Sequence, residues 1–251
     1  MKTSNKLLIA ALLFLLVALI AYDYQLKDAY DSGSYKNPYR DFKTLKFEDF
    51  DAVDVISSTA ANVKFVQGPF KVMVAANYLE FLKVKQYGKR LELSVSFEHD
   101  YWYSPDPYVL IISCPKLVNL NVSASYMANG KEVIDTAVKE EWNMRKVLVD
   151  GFQEDSIFIK QDYASIVVLS DSRIKSVRVV TGERPGSGSK LIVLKNNHFD
   201  NTNIDVLNKS NFYLNDANIQ NLRYYLADSA RMIINGAAQN LLNVISKSNT
   251  K

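Results

Sequence analysis

Residues 191–245 read LIVLKNNHFDNTNIDVLNKSNFYLNDANIQNLRYYLADSARMIINGAAQNLLNVI, and the stretch repeats itself every 19 to 20 residues. Leu194, Leu214 and Ile234 fall 20 apart, and Asn201, Asn221 and Asn240 fall 20 and then 19 apart. Val206, Tyr225 and Val244, with Leu207, Leu226 and Ile245, fall 19 apart. Each repeat holds two short apolar, β-prone runs, such as 191–194 and 204–207, separated by Asn, Asp, Ser and Lys. That is too little chain for a pair of helices. A recurrence of this length marks a stacked array in which each unit buries its apolar side against the next. The spacing predicts an all-β fold, a single-chain β-solenoid resembling a β-helix with one turn per repeat. It should be right-handed, because parallel β crossovers nearly always are.

Working back from the repeats, 147–149, 157–159, 166–169 and 177–180 are further short β-prone runs. Residues 131–144 are the one stretch with helical spacing, through Val133, Ala137, Val138 and Trp142, and predict a helical excursion. Between 47 and 97 the runs 53–56, 63–66, 72–75, 82–85 and 91–97 are punctuated by turn candidates at Gln67-Gly68-Pro69 and Tyr87-Gly88-Lys89. The expected solenoid domain is therefore 47–247.

The N-terminus is of another kind. Lys2 and Lys6 precede an unbroken apolar run, 7–21, followed by Tyr22 and Tyr24. At about 1.5 Å per residue a helix over that run covers only about 24 Å, less than the roughly 30 Å hydrocarbon core. Residues 1–22 read as a signal peptide or signal anchor, contacting the membrane through 7–22, and 23–46 as a juxtamembrane tether. The flanking lysines place the N-terminal side in the cytoplasm and send the remainder across. The expected location is extracytoplasmic: anchored, or released to the periplasm or cell surface if the segment is cleaved.

Composition narrows function mainly by exclusion. Thirty basic against 27 acidic side chains give a net charge of +3. No field of one sign is available to recruit nucleic acid. The single cysteine, Cys114, has no partner for an internal disulfide and reads as a buried strand end. Only His99 and His198 are present, with no zinc-type spacing, so neither a metal nor a cofactor is expected. The loop 182–190 is rich in Gly and Ser, but its Lys190 is followed by Leu191 and Pro185 interrupts the cradle a phosphate would need.

Two groups of residues remain. The proline-broken loop carrying Tyr101, Trp102, Tyr103 and Tyr108 is the candidate ligand-binding surface, since such rings stack on sugars and peptide side chains. Asn201, Asn221 and Asn240 are expected to form a structural ladder, their amides bonding from one coil to the next about 4.8 Å away. Asp162, Asp171, Asp200, Asp205 and Asp216 could serve acid/base chemistry, but solenoid turns favour Asp for backbone reasons.

Phe50-Asp51-Ala52-Val53-Asp54-Val55, then 61–69, 72–74 and 91–93, resemble the opening of the head GIN domain family of Bacteroidetes-type bacteria. This family, formerly a domain of unknown function, is described as candidate autotransporter adhesins. Residues 109–112 followed by Cys114-Pro115-Lys116-Leu117 and 118–122 resemble its second hallmark, a strand, Pro-x-Leu and another strand. The chain departs from the pattern at Ser123-Ala124-Ser125-Tyr126, where the family has a Gly-Ser-Gly turn. The resemblance implies a β-solenoid of the cell envelope without catalytic residues. The expected function is thus a non-enzymatic, adhesin-like or scaffold protein recognising a polysaccharide or an envelope protein. The alternatives are a polysaccharide-cleaving enzyme or an anchored sensing or assembly component.

Overall fold

The computed structural model describes residues 3–33, 37–99, 108–138 and 145–239. The chain divides into two compact units, Met1–Phe42 and Lys43–Lys251. Helix α1 occupies Thr3–Asp31, 29 residues. Its segment Thr3–Asp28, 26 residues, is long and apolar enough to cross a membrane, with none of it buried in protein. At 1.5 Å per residue that segment spans about 39 Å, more than the apolar run alone. Ala21, Leu26, Lys27 and Ala29 are good helix formers, and nothing in 22–31 breaks the ladder. Residues 23–31, expected as the start of a tether, are therefore helical. The helix ends at Gly33, whose φ of 65° only glycine adopts at low cost; the Gly33 amide donates to the Tyr30 carbonyl at 3.0 Å.

The remaining regular structure is almost entirely β, in two mixed sheets. The nine-stranded sheet runs β1 (Phe42–Leu45), β4 (Lys71–Ala75), β7 (Leu110–Cys114), β3 (Val63–Gln67), β11 (Val147–Asp150), β13 (Ile166–Ser170), β15 (Lys190–Val193), β17 (Asn211–Asn215), β19 (Arg231–Asn235). The ten-stranded sheet runs β10 (Lys131–Ile134), β9 (Ser125–Ala128), β6 (Arg90–Phe97), β2 (Ala52–Val55), β8 (Asn119–Val122), β12 (Gln153–Gln161), β14 (Arg173–Thr181), β16 (His198–Val206), β18 (Asn218–Leu226). Its remaining strand, β5 (Leu82–Tyr87), pairs with β6. Residues 131–134, expected to open a helical excursion, form β10 and pair with β9; 139–144 lie outside the described residues.

The antiparallel pairs β4–β7, β5–β6 and β9–β10 all precede β11. From β11 onward the chain visits the two sheets in turn, and every pairing is parallel. Val147 pairs with Val167, Gln153 with Arg173, His198 with Asn218 and Asn211 with Arg231, each a stagger of 20 residues. Ile166 pairs with Lys190, a stagger of 24, and Arg173 with His198, a stagger of 25, because the loop 182–189 adds four residues and the turn 194–197 one more.

This register corrects two spacings. Leu214 pairs with Val193, not Leu194, and Val206 pairs with Leu226, not Tyr225. A slip of one residue exchanges the two faces of a strand. Tyr225 is accordingly exposed while Val206 is fully buried.

Inward residues of successive strands stack into columns: Val147, Val167, Leu191, Phe212 in one sheet and Ile159, Val179, Ile204 in the other, all at most 1% exposed. Burying each such side chain contributes about 1.5–3 kcal/mol. A polar column is enclosed with them. Gln161 Nε2 donates to Thr181 Oγ1 at 2.9 Å, Thr181 and Ser189 hydroxyls meet at 2.6 Å, and Ser189 and Ser210 at 2.9 Å. Cys114 closes β7 fully buried, and burial pushes its thiol up to about 12.

Turns are built from residues that tolerate the left-handed region. Asp171 (φ 51°), Asn208 (φ 51°) and Asp216 (φ 54°) sit there. Two of the candidate acids, Asp171 and Asp216, thus have a backbone reason to be where they are.

Candidate functional site

Strict alternation breaks at an equivalent place in each nine-residue strand of the ten-stranded sheet. In β12, β14, β16 and β18 two consecutive residues face outward between two inward ones: Asp155-Ser156 between Glu154 and Ile157, Lys175-Ser176 between Ile174 and Val177, Asp200-Asn201 between Phe199 and Thr202, and Gln220-Asn221 between Ile219 and Leu222. The ladder bridges skip the first member of each pair. A doubled outward residue bends the strand, as a bulge does. The four bends stack into a corner that carries two parallel outward rows, Asp155–Lys175–Asp200–Gln220 and Ser156–Ser176–Asn201–Asn221.

Against this corner lies a groove of about 490 Å³ lined by Lys116, Glu154, Asp155, Arg173, Lys175, His198 and Asp200 among others. Asp155 accepts from Lys175 Nζ at 2.7 Å; that hydrogen bond and the ammonium charge hold the Asp155 carboxyl below the usual range and Lys175 above its own. His198 Nε2 lies 3.6 Å from Asp200 Oδ1 and 3.4 Å from Gln220 Nε2. In the second row Asn221 Nδ2 donates to Asn201 Oδ1 at 3.3 Å. A matching rung on the other sheet joins Asn235 to Asn215 at 2.9 Å.

Glu154 stands apart. It occupies an inward column continued by Ile174, Phe199 and Ile219, which are at most 3% exposed. Desolvation raises its carboxyl above the usual range against the smaller opposing effect of the Leu117 amide, and its Oε1 has no hydrogen-bond partner.

A second cleft, about 270 Å³, lies on the same sheet where Asp54, Asn121 and Lys160 come into register on β2, β8 and β12. Asn121 Nδ2 donates to Asp54 Oδ1 at 2.7 Å, and Arg90 ion-pairs with the same oxygen. The inserted loop 182–189 forms its far wall. Glu183 pairs with Lys160, the Arg184 amide donates to buried Asp162 at 2.8 Å, and the Arg184 guanidinium sits 5.4 Å from the Tyr163 ring centre.

Of the residues singled out from sequence, Asn201 and Asn221 stand side by side, and Asn240 lies outside the described residues. So do Tyr101, Trp102 and Tyr103; Tyr108 is half-buried just ahead of β7. The candidate acids disperse: Asp200 lines the groove, Asp162 the cleft, Asp205 pairs with Arg178, and Asp171 and Asp216 turn the chain. Lys116, Arg173 and Lys175 were not singled out. The signal for the corner is present in the sequence as a recurrent inward-out-out-inward quartet: Ile174-Lys-Ser-Val177, Phe199-Asp-Asn-Thr202, Ile219-Gln-Asn-Leu222. Among the described residues no cluster of three or more His, Cys, Asp or Glu has the arrangement of a metal site.

No family model matches the chain, and no curated protein matches it. Among solved structures it is similar to a candidate adhesin from Bacteroides fragilis NCTC 9343, at 9% identity and a TM-score of 0.43 over 77% of this chain and 96% of the other. It is also similar to a candidate adhesin from Parabacteroides merdae ATCC 43184, at 8% identity and 0.31 over 78% and 95%. A candidate lipid binding protein from Parabacteroides distasonis ATCC 8503 follows, at 12% identity and 0.30 over 78% and 94%. At these scores the likenesses transfer no residue and no activity.

Proposed function

We propose that this chain is a non-enzymatic, extracytoplasmic recognition protein held at the membrane by α1, its second unit a right-handed β-solenoid of the head GIN type. The parallel pairing from β11 onward and the 20-residue stagger support the solenoid reading; the sequence motifs at 50–69 and 109–122 support the family. The ligand is an extended polyhydroxylated polymer, a polysaccharide of the cell envelope. It lies along the corner of the ten-stranded sheet, and Tyr101, Trp102, Tyr103 and Tyr108 are proposed, from the sequence, as rings that stack on it.

One observation carries the reading: the double outward row at the corner. Parallel stacking repeats a polar side chain about every 4.8 Å along a straight line, which matches a linear ligand rather than a compact one. In that row Asp155 is held by Lys175, and Asp200 lies beside His198. Held below its usual range by the Lys175 ammonium, the Asp155 carboxylate is a fixed hydrogen-bond acceptor, not a proton donor at neutral pH. The test is glycan binding by the full chain in neutral nanodiscs. Saturable retention weakened at least fivefold by Lys175→Glu and by Trp102→Ala supports the reading. Retention indifferent to Lys175→Glu refutes it.

A second reading, polysaccharide cleavage, is favoured by Glu154 alone, a carboxyl kept proton-binding by burial at the groove wall. It requires products that vanish in Glu154→Gln.

A further inference from the structure

The opposite face of the molecule presents different chemistry. On β13 the inward residues are Val167 and Leu169, so Ile166 and Val168 point outward, yet they are only 5% and 6% exposed. Register explains the depth. Val168 lies between Leu148 on β11 and Ile192 on β15, with Tyr213 next on β17. Ile166 lies between Lys146, which immediately precedes β11, and Lys190 on β15. Short β-branched side chains on one strand, flanked by longer ones on its neighbours, leave a trough. Its volume is about 360 Å³, and its lining is Lys146, Ile166, Val168, Lys190, Ile192, Leu194 and Tyr213.

From this arrangement we propose that the trough binds an aliphatic chain bearing one anionic head group, with a fatty-acid carboxylate as the ligand. The volume falls within the roughly 300–1,000 Å³ range of small-molecule sites, and the composition matches them: an apolar floor with few polar groups. Lys146 and Lys190 stand on one side of the trough in the same row, two strands apart. Neither has a salt-bridge partner among the described residues. Their aliphatic stems extend the floor while their ammonium groups wait at its edge. An extended peptide is disfavoured because β13 and β15 are bonded on both sides and offer no free backbone edge. The branched aliphatic floor favours a methylene chain over a flat ring.

The experiment uses the full chain in nanodiscs of neutral lipid, a diazirine-bearing C16 fatty acid, and the fatty alcohol carrying the same diazirine. Crosslinked peptides are mapped by mass spectrometry. Labelling of α1 measures partition into the bilayer and serves as the internal reference. The expected result is fatty-acid labelling at 166–168 and 190–194, lowered about tenfold relative to α1 by Lys146→Glu/Lys190→Glu. The alcohol should label these positions at least fivefold less. Ile192→Thr, a β-compatible change, should lower groove labelling while leaving the circular dichroism spectrum intact. Labelling confined to α1, or equal labelling by acid and alcohol, would each overturn the assignment.

Discussion

Gly182→Ala is the most demanding test of the coil geometry, because two independent costs fall on one methyl group. Gly182 follows β14 at φ +78°, where an L-residue costs about 1–2 kcal/mol. A Cβ built there would lie 2.1 Å from Ser210 Oγ and 2.5 Å from the Leu207 carbonyl oxygen. The serine hydroxyl belongs to the buried column and bonds Ser189 at 2.9 Å, so displacing it costs about 1 kcal/mol. The carbonyl is backbone and yields only if the coil shifts, at about 1–3 kcal/mol. The sum is about 3–6 kcal/mol. Gly151 is the matched control: φ is +76°, with nothing within 4 Å of its Cβ position. Gly151→Ala carries the conformational cost alone, about 1–2 kcal/mol. At about 2–4 °C per kcal/mol for a unit of this size, thermal melts of the full chain in detergent should fall by about 6–24 °C for Gly182→Ala and about 2–8 °C for Gly151→Ala. Equal shifts would refute the claim that the inserted loop is pressed against the following coil.

Thr181→Val keeps shape but removes the hydroxyl between Gln161 and Ser189, and should cost about 1–3 kcal/mol in urea unfolding, with Ser189→Ala less than additive to it. Glu154 has its carboxyl raised by burial, so its contribution to stability is full below its ordinary 4.5 and is lost as pH climbs through the raised value. Urea midpoints of the wild type should therefore fall between pH 4.5 and neutrality by more than those of Glu154→Gln, and Glu154→Ile should be the most stable of the three at pH 7. Cys114 should stay unreactive toward an aromatic disulfide reagent at pH 8 and react fully once urea unfolds the chain; reaction in the native state would contradict its burial.

How far the sequence reveals this molecule depends on what periodicity can encode. Columns such as Leu191 and Phe212 are legible because apolar residues recur at the coil length. The repeat distance is ambiguous by one residue, and Val206 with Tyr225 shows the result: apolar and aromatic residues match equally well in either register. Hydrogen bonding decides, pairing Val206 with Leu226. Helicity of 131–134 is suggested by residue spacing, but pairing with β9 wins, since a strand edge offers hydrogen bonds that spacing does not reveal. The groove and clefts were harder to foresee. Asp54 and Lys160 are 106 positions apart and meet only because β2, β8 and β12 lie side by side. The trough over β13 needs three strands in register before Lys146 and Lys190 stand on one side of it.

The inserted loop 182–189 has a bearing on how such a molecule changes over generations. It lengthens one coil from 20 to 24 residues, yet the pairing on either side resumes without loss, Thr181 with Val206 and Lys190 with Asn211. Loop length costs little in closure entropy, each doubling adding about 0.6 kcal/mol. Turns of this stack are therefore open to insertion while its strands are not. Duplication of a 20-residue unit would add a coil whose contacts already exist in its neighbours, and lengthening of a turn would add a new wall to a groove. Variation in binding surface is thereby uncoupled from the interior, so lineages carrying this architecture should diverge at the exposed positions 183–186 and their equivalents while retaining Gly182 and the Gln161, Thr181, Ser189 and Ser210 column.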